Sequence, residues 1–224
     1  MMKHIMIVPC ATTRTNVEFA YDTEMCCINC VRAISEIDIN SIDEIYFVIL
    51  AEMDEEYHLT EKISADFHRF VNYPGIMRVI RLTYQTSSPA ETIYKALQTI
   101  DTYNAQVFIK DADNMCMNKL PLKDNEVYCA SLENIDKVDP IHKSYIKLDE
   151  QGFITNAIEK RVISDRFIAG GYSFNYASDY IEAYNALKNI TDKFYISDIL
   201  FWLILNKNAK FMPVNTKDFK DFNI

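Results

Sequence analysis

The sequence predicts an α/β fold in which helices flank a mixed, mostly parallel sheet. In the first half of the chain, short apolar segments typical of buried strands alternate with amphipathic segments typical of helices. The second half contains a hairpin pattern, which requires antiparallel pairing. The chain has 224 residues, of which 49% are hydrophobic, and these suffice for a single domain with a sizeable core. We therefore expect one α/β domain, or at most a domain plus a small subdomain, with residues 1–115 and residues 116–224 as its two halves.

Four buried strands and three helices are expected in the first half. The strands are predicted at residues 5–8, 45–50, 77–82 and 106–110, which are rich in Val, Ile, Leu and Phe. The helices are predicted at residues 24–34, from Thr60 to about residue 71, and from Ser88 to about residue 100. The last helix has the most complete start signal, because the segment from Ser87 to Glu91 supplies an N-cap, a proline in the first turn and an early acidic residue. The acidic run at residues 52–56 is interpreted as a solvated loop.

The second half contains fewer helices and more strands. A strand is predicted at residues 126–131, and residues 145–148 and 153–158 form the arms of the hairpin, which turns at residues 150–152. Another strand, at residues 167–174, contains the adjacent glycines Gly170 and Gly171. Helices follow at residues 178–188 and, with Ser197 as N-cap, from there to about residue 205. Residues 211–214 contain a proline and are predicted to form an edge strand.

The composition argues against several kinds of protein. A formal net charge of −9 disfavours a nucleic-acid-binding surface, which needs a basic patch. No apolar stretch approaches the length of a membrane span, and the start lacks the pattern of a signal peptide, so we expect a cytoplasmic protein. Six cysteines are expected to be reduced and mostly buried. The Cys27-x-x-Cys30 pair lacks a second pair or nearby histidines for zinc, and Cys26 and Cys30 are predicted to share the inward face of a helix.

Two aspartates, Asp111 and Asp113, follow directly after the predicted strand at residues 106–110. Their spacing by one residue places both on the same side of an extended segment. Ligands bind at the carboxyl ends of strands in open α/β sheets, and paired carboxylates suit Mg²⁺ or Mn²⁺. The pair therefore predicts a metal-assisted nucleotide site. The alternative is a solvated turn, because Asp and Asn also favour turns through local hydrogen bonds.

Five short motifs occur along the chain in a defined order. They are Pro89-Ala90-Glu91-Thr92, Ala112-Asp113-Asn114, Glu159-Lys160, Ala169-Gly170-Gly171-Tyr172 and the segment at residues 217–222, which contains Asp221. In this order they resemble the nucleotidyltransferase-like (GT-A-related) family, particularly its sugar-phosphate nucleotidyltransferases. The resemblance covers nearly the whole chain and implies a Rossmann-like GT-A/nucleotidyltransferase fold. It also implies that residues 1–115 bind the nucleotide and residues 116–224 bind the sugar or acceptor.

The resemblance implies Mg²⁺-dependent (or Mn²⁺-dependent) transfer of a nucleotidyl group from a nucleoside triphosphate to a sugar phosphate, as in surface-polysaccharide biosynthesis. The catalytic residues would be Asp111, Asp113 and Lys160, and the metal ligands Asp113 and Asp221. The nucleotide would contact Ala11, Thr12, Arg14, Ala90 and Asp111. The sugar or acceptor would contact Glu159, Lys160, Gly170, Gly171 and Tyr172.

One departure from the family pattern keeps other functions open. The loop at residues 11–16 contains no glycine, although backbone approach to a triphosphate normally uses it, and no Pro-Lys pair follows. A glycosyltransferase that binds a nucleotide sugar through Asp111 and Asp113 needs no triphosphate loop and is one alternative. A non-catalytic relative that binds a nucleotide or sugar phosphate is another. The content of Tyr, Phe and Ile is also compatible with a homo-oligomer.

Overall fold

A computed structural model of the chain describes residues 2–11, 18–119, 125–134 and 138–223. Within these ranges the strands are β1 (His4–Pro9), β2 (Tyr21–Asp22), β3 (Cys27–Ile28), β4 (Ile37–Asp38), β5 (Glu44–Leu50), β6 (Ile76–Leu82), β7 (Gln106–Lys110), β8 (Asn114–Lys119), β9 (Glu126–Ser131), β10 (Ser144–Leu148), β11 (Ile154–Glu159), β12 (Arg166–Phe174), β13 (Met212–Asn215) and β14 (Lys217–Asp221). The α-helices are α1 (Asn29–Ser35), α2 (Ala51–Tyr57), α3 (Leu59–Phe70), α4 (Pro89–Ile100), α5 (Ala177–Lys188) and α6 (Ile196–Lys207).

A mixed sheet forms the centre of the molecule, as the sequence predicts. Seven of its strands lie in the order β11-β10-β12-β7-β1-β5-β6, while β9 also pairs with β12 and β13 pairs with β9. The strands of the first half are parallel, with β1 between β5 and β7. In the second half, β12 runs antiparallel to β7, and β10 and β11 form the predicted hairpin. Strands from both predicted halves therefore belong to one sheet, and the predicted fold class is confirmed.

The parallel strands β1, β5 and β7 are buried on both faces because helices cover them, whereas β6, at the edge of the sheet, is partly exposed. All side chains from Ile5 to Val8 of β1 are fully buried, and β5 is buried from Ile45 to Leu50. Helix α4 begins as predicted, since the Ser88 hydroxyl accepts a hydrogen bond from the backbone N–H of Glu91 at 3.4 Å. Strand β13 is an edge strand, as its proline indicates. Among the described residues, no helix has both the length and the apolar character that crossing a membrane requires.

The predicted helix at residues 24–34 is wrong at its start. Strands β2 and β3 form a short hairpin before it, and α1 begins only at Asn29. The Asp22 carboxylate accepts hydrogen bonds from two backbone N–H groups of the turn, which holds the hairpin instead of a helical turn. Cys26 lies in this turn with φ of 51° and is exposed, so it does not share an inward face with the buried Cys30.

The acidic run at residues 52–56 is also not a loop, because it forms most of α2. Asp54 is buried there and accepts hydrogen bonds from the backbone N–H and the hydroxyl of Thr60, at 2.7 and 2.8 Å. Arg81 of β6 contacts the same carboxylate at 3.3 Å. Asp54 therefore stabilises the first turn of α3, a role that the sequence suggested for Thr60 itself.

Helix α6 begins at Ile196, one residue before the predicted start, and its N-cap is Tyr195 instead of Ser197. The Asp198 carboxylate accepts a hydrogen bond from the Tyr195 backbone N–H at 2.7 Å, which fixes this end of the helix. The Ser197 hydroxyl is buried and donates to the Glu159 carboxylate at 3.1 Å. The serine thus connects α6 to the end of β11.

A small second sheet, which the sequence did not predict, lies beside the main one. In it β8 pairs with β4 on one side and with β14 on the other. The antiparallel ladder between β8 and β14 places Asp221 opposite Asn114. This pairing brings the last described part of the chain to the segment that follows β7.

Candidate active site

A cavity of about 890 Å³ lies where β1 and β7 end, at the carboxyl edge of the parallel strands. Its volume is in the range of small-molecule sites. Six of the residues predicted for the site line it: Asp111, Asp113, Glu159, Lys160, Tyr172 and Asp221. The structure therefore brings together side chains from both halves of the chain.

The segment after β7 is held in place by Lys110, a residue that the sequence analysis missed. Its side chain is fully buried. The Lys110 ammonium donates to the backbone carbonyls of Asp111 and Asn114, at 2.9 and 2.8 Å, and to the Asn114 side-chain oxygen at 2.7 Å. Burial lowers the pKa of Lys110, because a charged group is less stable away from water. These three bonds fix the turn that carries Asp111 and Asp113.

The carboxyl of Asp111 has an unusual environment. Its burial raises its pKa to about 7, and the negative charge of Asp113 adds to the rise, although Lys110 opposes it. The protonated form of this carboxyl is therefore more favoured near neutral pH than that of an ordinary surface aspartate. A carboxyl of this kind can act as a hydrogen-bond donor or as an acceptor within the cavity.

Asp113 and Asp221 converge on one point. The side-chain nitrogen Nδ2 of Asn223 donates to Asp113 Oδ2 at 3.2 Å and to Asp221 Oδ1 at 3.0 Å. The backbone N–H of Phe222 also donates to the Asp113 carbonyl at 2.9 Å, which anchors the end of β14. Among the described residues, no three His, Cys, Asp or Glu side chains converge as a metal site. The two carboxylates nevertheless fit Mg²⁺, which binds few protein carboxylates and completes its shell with water and phosphate oxygens.

Lys143 is a second residue of the cavity that the sequence analysis missed. Its ammonium forms an ion pair with Asp221 Oδ2, and its side chain is only 12% exposed. Burial by itself would raise the pKa of Asp221, but the bonds from Lys143 and Asn223 outweigh it, so that pKa is lowered. Asp221 is therefore ionised at neutral pH, as a metal ligand must be.

The Glu159-Lys160 pair lies at the end of β11, and both residues line the cavity. Glu159 Oε2 accepts hydrogen bonds from the hydroxyls of Ser144 and Ser197, so the carboxylate is fixed in place. Lys160 has φ of 53°, and its ammonium lies 5.1 Å from the centre of the Tyr195 ring. The ring thereby holds a positive charge at the cavity wall.

The adjacent glycines of β12 pack against neighbouring side chains. Gly170 has φ of 72°, and a Cβ there would lie 2.5 Å from the side-chain nitrogen of Asn114. A Cβ on Gly171 would collide with the ring of Tyr128. The pairing of β12 with β9 shifts register here, between Ile168 and Tyr172. Packing and a bulge thus explain both glycines, and their contact with a substrate stays a prediction.

The predicted nucleotide-binding residues are described only in part. The carbonyl of Ala11 accepts hydrogen bonds from the backbone N–H and the hydroxyl of Thr86, at 3.2 and 3.1 Å. Thr12 and Arg14 lie outside the described residues. Ala90 is buried in the first turn of α4, where its carbonyl accepts a hydrogen bond from Tyr180 at 3.2 Å. The residue before it, Pro89, lines the cavity.

Known proteins resemble this chain in structure much more than in sequence. No protein-family model matches it, and no curated protein matches it at a significant level. A nucleoside-diphosphate-sugar pyrophosphorylase from Vibrio cholerae RC9 superposes with a TM-score of 0.70 at 16% identity, over 98% of this chain and 96% of that one. The inositol-1-phosphate CTP transferase from T. maritima gives 0.67 at 12% identity, over 98% and 87%.

A third structure, of a protein from Bacillus anthracis assigned as a glucose-1-phosphate thymidylyltransferase, gives a TM-score of 0.63 at 13% identity. It covers 99% of this chain and 89% of that one. All three carry the names of enzymes that act on sugar phosphates, inositol phosphate or nucleotide sugars. The chain therefore has the Rossmann-like fold of the sugar-phosphate nucleotidyltransferases.

Proposed function

We propose that the chain is a Mg²⁺-dependent nucleotidyltransferase. It transfers a nucleotidyl group from a nucleoside triphosphate to a sugar phosphate or similar phosphorylated acceptor, as in surface-polysaccharide biosynthesis. The observation that carries the proposal is the convergence of Asp113 and Asp221 on one nitrogen, in the cavity that Glu159 and Lys160 also line. A cation site and an acceptor site thus share one cavity, in a fold that known nucleotidyltransferases also have.

In the proposed reaction, a phosphate oxygen of the acceptor attacks the α-phosphorus in line, and pyrophosphate leaves. Asp113 and Asp221 would hold Mg²⁺, which supplies positive charge to the reacting phosphate. The Lys160 ammonium binds the acceptor phosphate. Both serine hydroxyls contact Oε2 of Glu159, and we assign its Oε1 to a sugar hydroxyl. The residues only position reactants and stabilise charge, so no protein nucleophile is required.

The nucleotide is proposed to lie across the ends of β1 and β7. Asp111, with its raised pKa, orients the phosphates from the edge of the cavity. The start of α4 around Ala90 is the proposed neighbour of the base, because Ser88 and Pro89 line the cavity. Ala11, Thr12 and Arg14 are proposed to contact the triphosphate.

A glycosyltransferase would use Asp111 and Asp113 together as its metal ligands. The geometry supports this less well, because Asn223 joins Asp113 to Asp221 and not to Asp111. Nucleotidyl transfer is therefore the better supported reaction.

Pyrophosphate release tests the proposal. The wild type is incubated with Mg²⁺, each of ATP, CTP, GTP, UTP and dTTP, and a panel of sugar 1-phosphates. One combination should release pyrophosphate and yield a nucleotide sugar. Asp113→Asn and Asp221→Asn should each lower this rate about 100-fold or more, since a ligand of a charge-stabilising metal contributes several kcal/mol.

Asp218→Asn is the matched control, because Asp218 is an exposed aspartate of the same strand as Asp221. It should leave the rate unchanged. Binding of a triphosphate without release of pyrophosphate would contradict the proposal and indicate a non-catalytic relative. Hydrolysis of a nucleotide sugar instead of a triphosphate would indicate a glycosyltransferase.

A further inference from the structure

The open end of the β10–β11 hairpin carries two lysines on opposite strands. Ser144 pairs with Glu159 in the hairpin, and the backbone N–H of Lys160 donates to the carbonyl of Lys143 at 3.0 Å. Lys143 and Lys160 are therefore cross-strand neighbours at the cavity. Their side chains reach different partners, because Lys143 contacts Asp221 and Lys160 lies against Tyr195.

Lys143 provides a positive charge directly beside the proposed cation site. Its ammonium contacts Asp221 Oδ2, whereas Asn223 contacts the other oxygen, Oδ1, on the side shared with Asp113. A cation between Asp113 and Asp221 would thus contact Oδ1 of Asp221, whereas the Lys143 ammonium contacts Oδ2 of the same carboxylate. The ion pair with Asp221 does not prevent Lys143 from taking a second anionic partner, since an ammonium has three donors.

The described lining of the cavity has more acidic than basic side chains, so the binding of an anionic ligand there depends on its few lysines. This described lining contains six carboxylates, namely Glu18, Asp111, Asp113, Asp139, Glu159 and Asp221, and three lysines, Lys143, Lys160 and Lys193. The ammonium groups of Lys160 and Lys193 lie 5.1 and 5.8 Å from the centre of the Tyr195 ring, in the proposed acceptor region. Among the lysines of this described lining, Lys143 is the one that forms an ion pair with Asp221 of the proposed cation site.

We propose that Lys143 binds the phosphates of the nucleoside triphosphate, at the junction between the nucleotide and acceptor sites. This inference rests on the proposed function. Attack of one phosphate on another brings two anions together, and an ammonium placed between their sites lowers that repulsion. Lys143 would thereby supply the charge that the sequence lacks after β1, where neither a glycine-rich loop nor a Pro-Lys pair is present.

A purely structural role for Lys143, as the partner of Asp221, makes a different prediction. Removal of the ammonium would then alter stability but would leave triphosphate binding intact. Binding of a metal alone separates the two roles further. Loss of the ammonium should leave the affinity of Asp113 and Asp221 for Mn²⁺ unchanged or higher, because Lys143 no longer competes with the metal for the Asp221 carboxylate.

Isothermal titration calorimetry tests the inference on the full chain. The wild type is titrated with ATP, CTP, GTP, UTP and dTTP in the presence of Mg²⁺, and the tightest ligand is used for all variants. Lys143→Met should bind it about 10-fold to 100-fold more weakly, as expected for the loss of a charged hydrogen bond. Lys143→Arg should retain most of the affinity, and Lys143→Met should bind Mn²⁺ at least as tightly as the wild type.

Lys147→Met is the matched control, since Lys147 is an exposed lysine of β10, the strand that Lys143 directly precedes, and it does not line the cavity. The Lys147→Met variant should bind the triphosphate like the wild type. Lys143→Gln should bind it as weakly as Lys143→Met does. The glutamine variant replaces the methionine variant if the latter does not fold. Triphosphate affinity of the folded neutral variants within about twofold of the wild type would overturn the role of Lys143 alone. Failure of the wild type to bind any triphosphate would overturn the proposed function and this inference with it.

Discussion

Substitution of Gly170 by alanine should destabilise the protein and disturb the candidate site together. Two costs arise at this position. The positive φ of 72° costs an L-residue about 1–2 kcal/mol. The new Cβ would also lie 2.5 Å from Asn114 Nδ2. Asn114 cannot move away freely, because its side chain accepts from the Lys110 ammonium at 2.7 Å and donates to Asp113 at 2.9 Å.

A shift of Asn114 would weaken a hydrogen bond to a buried charge, worth about 1.5–3 kcal/mol. We therefore expect Gly170→Ala to lower the free energy of unfolding by about 3 kcal/mol, measured by urea denaturation. Gly152→Ala is the matched control, since Gly152 also has a positive φ, of 87°, but nothing within 4 Å of a Cβ. It should cost only about 1 kcal/mol. Equal losses in the two variants would refute the role of the contact with Asn114.

Two further predictions concern Asn223 and Asp54. Asn223→Ala removes the nitrogen that contacts both Asp113 and Asp221. Without this hydrogen-bond donor competing for the two carboxylates, which is worth about 1 kcal/mol, Mn²⁺ should bind about 5-fold more tightly in calorimetry. Weaker binding would instead show that Asn223 helps to hold the metal. Asp54→Ala should lower the free energy of unfolding by about 2 kcal/mol at pH 7, since it removes the bonds to Thr60. Burial opposes ionisation of Asp54, but the bonds from Thr60 and Arg81 outweigh it and lower the pKa of Asp54. The stabilisation by the ionised carboxylate is therefore present above the unfolded pKa of about 3.9 and is lost as the pH falls through the folded pKa. Urea titrations at pH 7 and at pH 3 should therefore show a smaller difference between the variant and the wild type at pH 3; an unchanged difference would contradict the role of the ionised carboxylate.

Elements with strong local signals could be predicted from the sequence closely. Strand β7 has the predicted bounds, and α4 begins where Ser88 and Pro89 indicate. The small sheet of β4, β8 and β14 could not be predicted in this way. Its strands are short or polar, and β14 in particular, Lys217–Asp221, has no run of apolar residues. The pairing between β8 and β14 depends on partners far apart in the sequence, which local periodicity does not report.

The residues of the candidate site could likewise be predicted only in part from the sequence. The resemblance selected Asp113, Glu159 and Lys160, which the structure places around one cavity. Lys143 could have been found, because extending the predicted hairpin by two residues places it opposite Lys160. Lys110 carries no such signal, since a lysine at the end of a strand is usually exposed, and here its burial follows from three acceptors that only the folded turn supplies.

The ladder between β8 and β14 also affects the order of folding. It joins Asp113 to Asn223 across 110 positions, and closing a flexible loop of that length costs about 4 kcal/mol of chain entropy. The β10–β11 hairpin closes a far shorter loop and can form early. During folding, the hairpin next to Lys143 and Lys160 can therefore form before Asp113 and Asp221 meet. Amide hydrogens of β14 should accordingly exchange with solvent sooner than those of β1, and the candidate site should be the last part of the molecule to assemble.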